Sequence, residues 1–217
     1  MSDFTAARRH MVDGQVRTTD VTDLRVISAL LEVPRERFMP PASASLAYLD
    51  LDVPLGASRR LLRPMVLAKL IQTAELEATD RVLDVGCATG YSAAVLARIV
   101  GQVVALEQDA GLAKAAREAL SSQPNVDVVN GALADGWPQG APYDVVVLEG
   151  ATEAVPHALC QQLKDGGRLV GVFATTKPPR AMIVTRSHGD FGNRALFDAV
   201  VPVLPGLERL PAFVFQA

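Results

Sequence analysis

The sequence predicts an α/β protein in which a mostly parallel sheet carries helices on both faces, behind an N-terminal helical cap. Three observations point there. From about residue 80, short β-branched runs alternate with helical patterns, the signature of a parallel sheet buried on both sides. The stretch "LDVGCATGYSAAVLARIVG" (83–101) passes from a strand through a tight turn into an apolar helix. Ahead of residue 64 the pattern is helical and then broken by prolines.

The elements follow in order. Residues 5–33 predict a helix, with Val21, Leu24, Val26, Ile27, Leu30 and Leu31 near helical spacing and Asp20 or Thr22 able to cap. Pro34, Pro40 and Pro41 end that pattern, and 42–63 reads as irregular. Pro64 to Leu76 predicts a second helix, proline being harmless at a first helical position. Then come the strand "RVLDVG", a helix over 91–100, the strand "VVALEQ" and the helix "AGLAKAAREAL". Three further strands are predicted at 125–131, 143–150 and 168–174. A helix over 155–164, ending at Gly166-Gly167, separates the last two. "AMIVTR" and "LFDAVVPVL" around "SHGDFGN" predict a closing hairpin and bring the sheet to seven strands. One domain is expected over 1–217, with 1–63 as cap and loop and 64–217 as the α/β core.

At 217 residues, 49% hydrophobic and 21% charged, the chain has the balance of a folded globular protein. A net charge of −3 offers no electrostatic case for a nucleic-acid partner. No run approaches 18 apolar residues, so no membrane span is expected, and the first residues carry no apolar signal core. Two cysteines, Cys87 and Cys160, suit a reducing compartment, and a cytoplasmic location is expected. His10, His157 and His188 lack ligand spacing, so no metal is expected.

Ligands of open α/β sheets sit beyond the C-terminal strand ends. That rim holds the Gly86–Gly90 turn and Glu107, a carboxylate suited to ribose hydroxyls. A dinucleotide fingerprint from Gly86 needs glycines where Ala88 and Tyr91 stand, and Tyr91 would crowd a pyrophosphate. The spacing D-x-G-x-x-x-G from Asp84 instead resembles motif I of class I methyltransferases that use S-adenosylmethionine (SAM), a Rossmann-like fold. A dinucleotide, or a turn that binds nothing, remain the other readings of this stretch.

A closer resemblance covers residues 11 to about 175. Met11, Val12, Gln15, Asp23, Arg25, Val26, Val33, Pro34, Arg35, Phe38 and Pro40 are similar to the opening of protein-L-isoaspartate O-methyltransferases. "AYLDLDVPLG", "GWPQGAPYDVVV" and "LKDGGRLV" resemble three later blocks. The resemblance implies SAM as cofactor, held around Asp84, Gly86, Cys87, Ala88, Gly90, Glu107, Gly131 and Ala132. It implies a protein or peptide carboxylate as acceptor, in a repair step. A carboxylate ionised at pH 7 needs no general base, so alignment can supply most of the rate.

The departures lie at the substrate rim. Where the family reads H-G-Q-T-I-S-Q-P, this chain reads "ASRRLLRP", with Arg60 for Thr, Leu62 for Ser and Arg63 for Gln. Ala132 replaces the Asp that reads adenine, and Glu149 replaces a Thr after the fourth sheet strand. The catalytic position is therefore unassigned, and weak or undetectable turnover of ordinary isoaspartyl peptides is expected, alongside measurable SAM binding. Arg59, Arg60, Arg63 and Glu149 become the substrate candidates, the arginines presenting forks for an anion. They read equally as a solvated face, and Arg60 with Glu149 as an internal ion pair. Other readings are the same fold acting on a different, anionic acceptor, and a silent relative that serves as a binding module. Cys87 reads as a small filler of the turn, Cys160 as a core residue of its helix and Trp137 as packing. Asp135 is a lesser candidate for the adenine contact.

Overall fold

The computed structural model describes residues 4–56 and 58–209, so Ala57 of the rewritten loop lies outside the described residues. The predicted long N-terminal helix is four pieces. α1 (Phe4–Met11) runs into a π turn over Val12–Val16 and a 3-10 turn over Arg17–Thr19, and α2 (Leu24–Glu32) follows. The break falls at Asp20, whose φ of 66° no helix continues through. The cap of α2 is neither Asp20 nor Thr22. It is Asp23, whose carboxylate accepts from the Arg25 N–H at 2.8 Å.

Residues 42–63 are not irregular either. A 3-10 turn at Pro41–Leu46 leads to a two-stranded ribbon, β1 (Val53–Gly56) and β2 (Arg59–Leu61), antiparallel with Pro54 opposite Arg60. α3 (Pro64–Thr73) starts on its proline as expected.

The main sheet consists of β3 (Arg81–Val85), β4 (Gln102–Glu107), β5 (Val126–Asn130), β6 (Tyr143–Thr152), β7 (Leu163–Phe173), β8 (Arg180–Ser187) and β9 (Asp190–Asp198). Its order is β5-β4-β3-β6-β7-β8-β9, parallel through β7 and antiparallel beyond. α4 (Tyr91–Leu96), α5 (Ala110–Ala119) and α6 (His157–Gln161) are its crossover helices. α4 stops short of residue 100 because the chain must reverse into β4. α6 stops at Gln161 because Leu163 already pairs with Tyr143, and the Gly166-Gly167 step falls inside an interruption of β7. The closing hairpin turns on two residues, His188 (φ 53°) and Gly189 (φ 90°), the positive-φ pair of a tight hairpin turn. Its second strand begins at Asp190, not Leu196. That frees residues 199–207 to cross the end of β6, where Ala151 bridges Val203.

Both sheet faces are buried, and strand residues alternate between them. Val82, Val103, Ala105, Val145 and Val147 join the core under the cap, while Leu83, Val85, Val104, Leu106, Val146 and Leu148 join the opposite one. The cap-side core is continuous with Val12, Val16, Ile27 and Leu30. The cap is thus bolted to the sheet face that carries the site. Among the described residues no helix is long and apolar enough to cross a membrane.

Candidate cofactor and substrate site

The two-residue period of a strand assembles three acids. Asp84 follows Val82, Glu107 follows Ala105 and Glu149 follows Val147, so all three carboxylates leave the sheet on the cap side, near the C-terminal strand ends. β3 has β4 on one side and β6 on the other, so the acids ring the point where strand order reverses. Asp84 and Glu107 are fully buried and Glu149 nearly so.

The turn after β3 alternates handedness, with positive φ at Gly86 (83°), Ala88 (51°) and Gly90 (93°). Ala88 is tolerated there at a cost of about 1–2 kcal/mol. In return its N–H donates to Glu107 Oε2 at 2.8 Å. The N–H groups of Gln108 and Asp109 donate to Oε1 at 2.9 and 3.0 Å. Arg59 completes the shell, with Nε 3.3 Å from Oε2 and Nη2 donating to the Gly86 carbonyl. The Thr89 hydroxyl donates to the Phe38 carbonyl at 2.6 Å and ties the turn to the cap. Tyr91 does not crowd the turn. Its ring is buried under the cap, 5.7 Å from Phe38 and 4.8 Å from the Arg35 guanidinium.

Asp84 Oδ2 accepts from Ser92 at 2.7 Å, and its Oδ1 has no partner. Burial pushes its carboxyl up to about 7; the Ser92 hydroxyl and Arg59 oppose that and Glu107 adds to it. Burial also drives Glu149 well above the carboxylate range, aided by Asp84 and opposed by Arg59 and Arg35. A pKa raised on folding gives stability that is complete below the unfolded value near 4 and lost as pH rises through about 7. Asp84→Asn should flatten that decline in a series of melting temperatures from pH 4 to 8. An unaltered slope would assign it to another group.

The predicted arginines do not converge. Strand alternation in β2 turns Arg59 and Leu61 inward and Arg60 outward. Among the described residues, Arg60 Nη1 reaches the Asp52 carbonyl, at 3.4 Å. The expected pair with Glu149 is absent, and Glu149 Oε1 has no partner. Arg63 pairs with Asp52 at 2.9 Å, and its N–H donates to the same carboxylate at 2.8 Å. Leu62 is buried in the cap-side core, and its carbonyl accepts from Arg35 Nη2 at 2.7 Å. Cys87 is buried and its thiol is pushed well up by burial, with Asp84 and Glu107 adding, which suits a filler. Cys160 is buried in the opposite core. Gly131 donates to the Glu107 carbonyl at 3.2 Å, under the Trp137 ring, and Ala132 beside it is exposed. Asp135 gives its carbonyl to Gln162. The three histidines lie exposed and apart, and among the described residues no three His, Cys, Asp or Glu could hold a metal.

Sequence reasoning missed four contributors: Arg35, Ser92, Asp52 and Leu204. Ser92 stands eight residues after Asp84, at the first turn of the helix that the motif opens, and could have been read from that spacing. Leu204 comes from the tail, and nothing local to it marks its destination.

The donor set matches what SAM requires. Glu107 places a carboxylate at a strand end, Gly86 has no side chain, and Asp84 and Glu149 keep buried oxygens without partners. The room above the turn is taken, however. A Cβ on Gly86 would stand 2.5 Å from Arg59 Nη2 and 2.9 Å from Leu204 Cδ2. The residues fit the cofactor once Arg59 withdraws.

The sheet order, the glycine turn and the acidic strand ends define a class I, Rossmann-like methyltransferase. The family described as "Protein-L-isoaspartate(D-aspartate) O-methyltransferase (PCMT)" matches residues 6–194. A protein-L-isoaspartate O-methyltransferase of Methylorubrum extorquens (strain PA1) is 41% identical over 208 residues, 94% of this chain and 91% of its own. Protein-L-isoaspartate O-methyltransferase 1 of Rhodopseudomonas palustris (strain HaA2) is 39% identical over 190 residues, 86% and 78% of the two chains. A solved protein-L-isoaspartate O-methyltransferase superposes with a TM-score of 0.80 at 26% identity, covering 93% of this chain and 67% of that one. A Plasmodium falciparum structure in complex with S-adenosyl-L-homocysteine shares the fold, with a TM-score of 0.78 at 17% identity and coverage of 94% and 99%. The chain belongs to the protein-L-isoaspartate(D-aspartate) O-methyltransferase family, SAM-dependent enzymes of protein repair.

Proposed function

We propose that this chain methylates isoaspartyl carboxylates of damaged proteins in the cytoplasm, with Glu107 and the Gly86–Gly90 turn as the seat of SAM. The observation that supports it is the ring of three buried acids on one sheet face, two of which keep an oxygen without a partner. When bound, SAM supplies an electrophilic methyl group on a cationic sulfonium. Glu107 would hold the ribose, and the Gly86 and Ala88 backbone would bear on the amino-acid end. Burial holds Asp84 and Glu149 toward their neutral forms, with Arg59 opposing this at both and Arg35 at Glu149, and a cation brought beside them would favour their ionisation. Gly131 and Ala132 border the adenine side, where Ala132 brings no hydrogen-bonding side chain.

The acceptor enters between the β1–β2 ribbon and the tail segment 199–207, with exposed Arg60 and half-exposed Arg63 at the rim. Leu62 offers no hydroxyl, so alignment falls on the ribbon's anchors, Arg35 at Leu62 and Asp52 at Arg63. The unit at work is the whole chain, cap and ribbon through residue 63 over the α/β core. The test is transfer of labelled methyl from SAM to an isoaspartyl peptide, beside the same peptide with ordinary aspartate. Label on the isoaspartyl peptide alone is the expected result. Label on neither peptide, with SAM bound, would move the acceptor elsewhere.

A further inference from the structure

We propose that Arg59 sets the cofactor affinity of this enzyme by competing with SAM for Glu107, a latch built into the substrate ribbon. The inference rests on the reading above that Glu107 is the ribose ligand. Arg59 is 4% exposed, an unusual burial for a guanidinium, and it is held by two groups of the cofactor rim. Its Nε lies 3.3 Å from Glu107 Oε2, and its Nη2 donates to the Gly86 carbonyl. With three backbone N–H groups also on that carboxylate, Glu107 has no free face for a ribose hydroxyl. The terminal nitrogen stands in the space directly above Gly86, so the same side chain covers the turn.

This contact follows from the ribbon. Pairing of Gly56 with Arg59 and Val53 with Leu61 makes position 59 inward-facing. The ribbon is pinned behind it by Arg35 on the Leu62 carbonyl and by Asp52 on Arg63, so the guanidinium cannot simply drift away. A charge-assisted contact to a buried carboxylate resists displacement, and a ligand that must displace it binds more weakly by the fraction of time the latch is open. Binding SAM therefore exchanges Glu107–Arg59 for Glu107–ribose, with the Arg59 side chain swinging out while the ribbon stays on its Arg35 and Asp52 anchors.

The test measures dissociation constants of S-adenosylhomocysteine by calorimetry for the wild type, Arg59→Ala, Arg59→Gln and Arg59→Lys, with a melting temperature for each free protein. The latch predicts opposite signs. The Ala and Gln variants should bind about tenfold or more tightly while their free forms melt lower, and the Lys variant should fall between. A residue that only supports structure would loosen binding as it lowers melting, so equal or weaker binding in the variants overturns the latch and leaves the cofactor seat intact. Binding by no protein, wild type included, overturns both. The wild type supplies a reading that needs no variant. Its Arg59 Nε–H resonance should be protected from exchange in the free protein and lose that protection at saturating S-adenosylhomocysteine. Protection that persists at saturation overturns the proposal.

Discussion

Glu107→Gln should weaken cofactor binding by about 30- to 150-fold, roughly 2–3 kcal/mol, with the fold retained. The amide keeps one acceptor for the Gln108 and Asp109 N–H groups but turns its NH2 toward either the turn or the ribose, where a donor already stands. The more obvious change, Glu107→Ala, is a poorer probe. It strips a partner from three backbone N–H groups and a buried arginine at once, and should cost about 3–5 kcal/mol of stability. Because either change also releases Arg59, the full loss is read by comparing Arg59→Ala with the Arg59→Ala/Glu107→Gln double variant. Calorimetry with S-adenosylhomocysteine beside a urea melt separates the two effects. Unchanged affinity in a folded Gln variant would place the ribose elsewhere.

Arg35→Ala should destabilise the protein by about 3–5 kcal/mol, as for truncation of a large buried ring. Arg35 is fully buried, stacks 4.8 Å from the Tyr91 ring and bonds the Leu62 carbonyl, so its loss opens a cavity at the joint of cap, ribbon and α4. For a chain of this length that is a fall in melting temperature of roughly 10 °C. Arg35→Met should be far milder. It keeps the volume and removes a guanidinium whose Nε and Nη1 have no partners, and burying such a charge is itself expensive. The Met variant still loses the tie to Leu62. Its KM for an isoaspartyl peptide should rise while its melting temperature stays close to the wild type. A Met variant as unstable as the Ala variant would show that the charge, not the volume, holds the joint.

The core of the molecule could be read in the sequence because its signals are local. Valine runs at 82–85, 103–106 and 145–148 announce strands buried on both faces, and Gly86 and Gly90 announce the turn. The chain before residue 64 was harder. Its helical spacing over 5–33 says nothing of the left-handed step at Asp20, which lets the cap fold back on the sheet. The arginines at 59, 60 and 63 mislead for a related reason. In a stretch read as irregular they look equivalent and suggest one anion site. Within the strand Arg59 and Arg60 alternate, so Arg59 separates at once from Arg60, and Arg63 falls beyond it at the start of α3. No local pattern shows where Arg59 points, because its partner Glu107 lies 48 residues away. The same holds for Leu204, which reaches the site only because β9 ends early and residues 199–207 return across β6.

That returning segment links positions that no alignment column would join. Leu204 lies against the missing side chains of both Gly86 and Gly150, and a Cβ on Gly150 would stand 2.8 Å from it and 2.9 Å from the Pro202 carbonyl. At position 150 the chain carries a hydrogen, and the Leu204 methyl of its own tail occupies the space a side chain would take. The two positions are therefore sterically coupled. A methyl group at 150 could be accommodated only by reseating the tail, because one of the atoms it would meet is backbone.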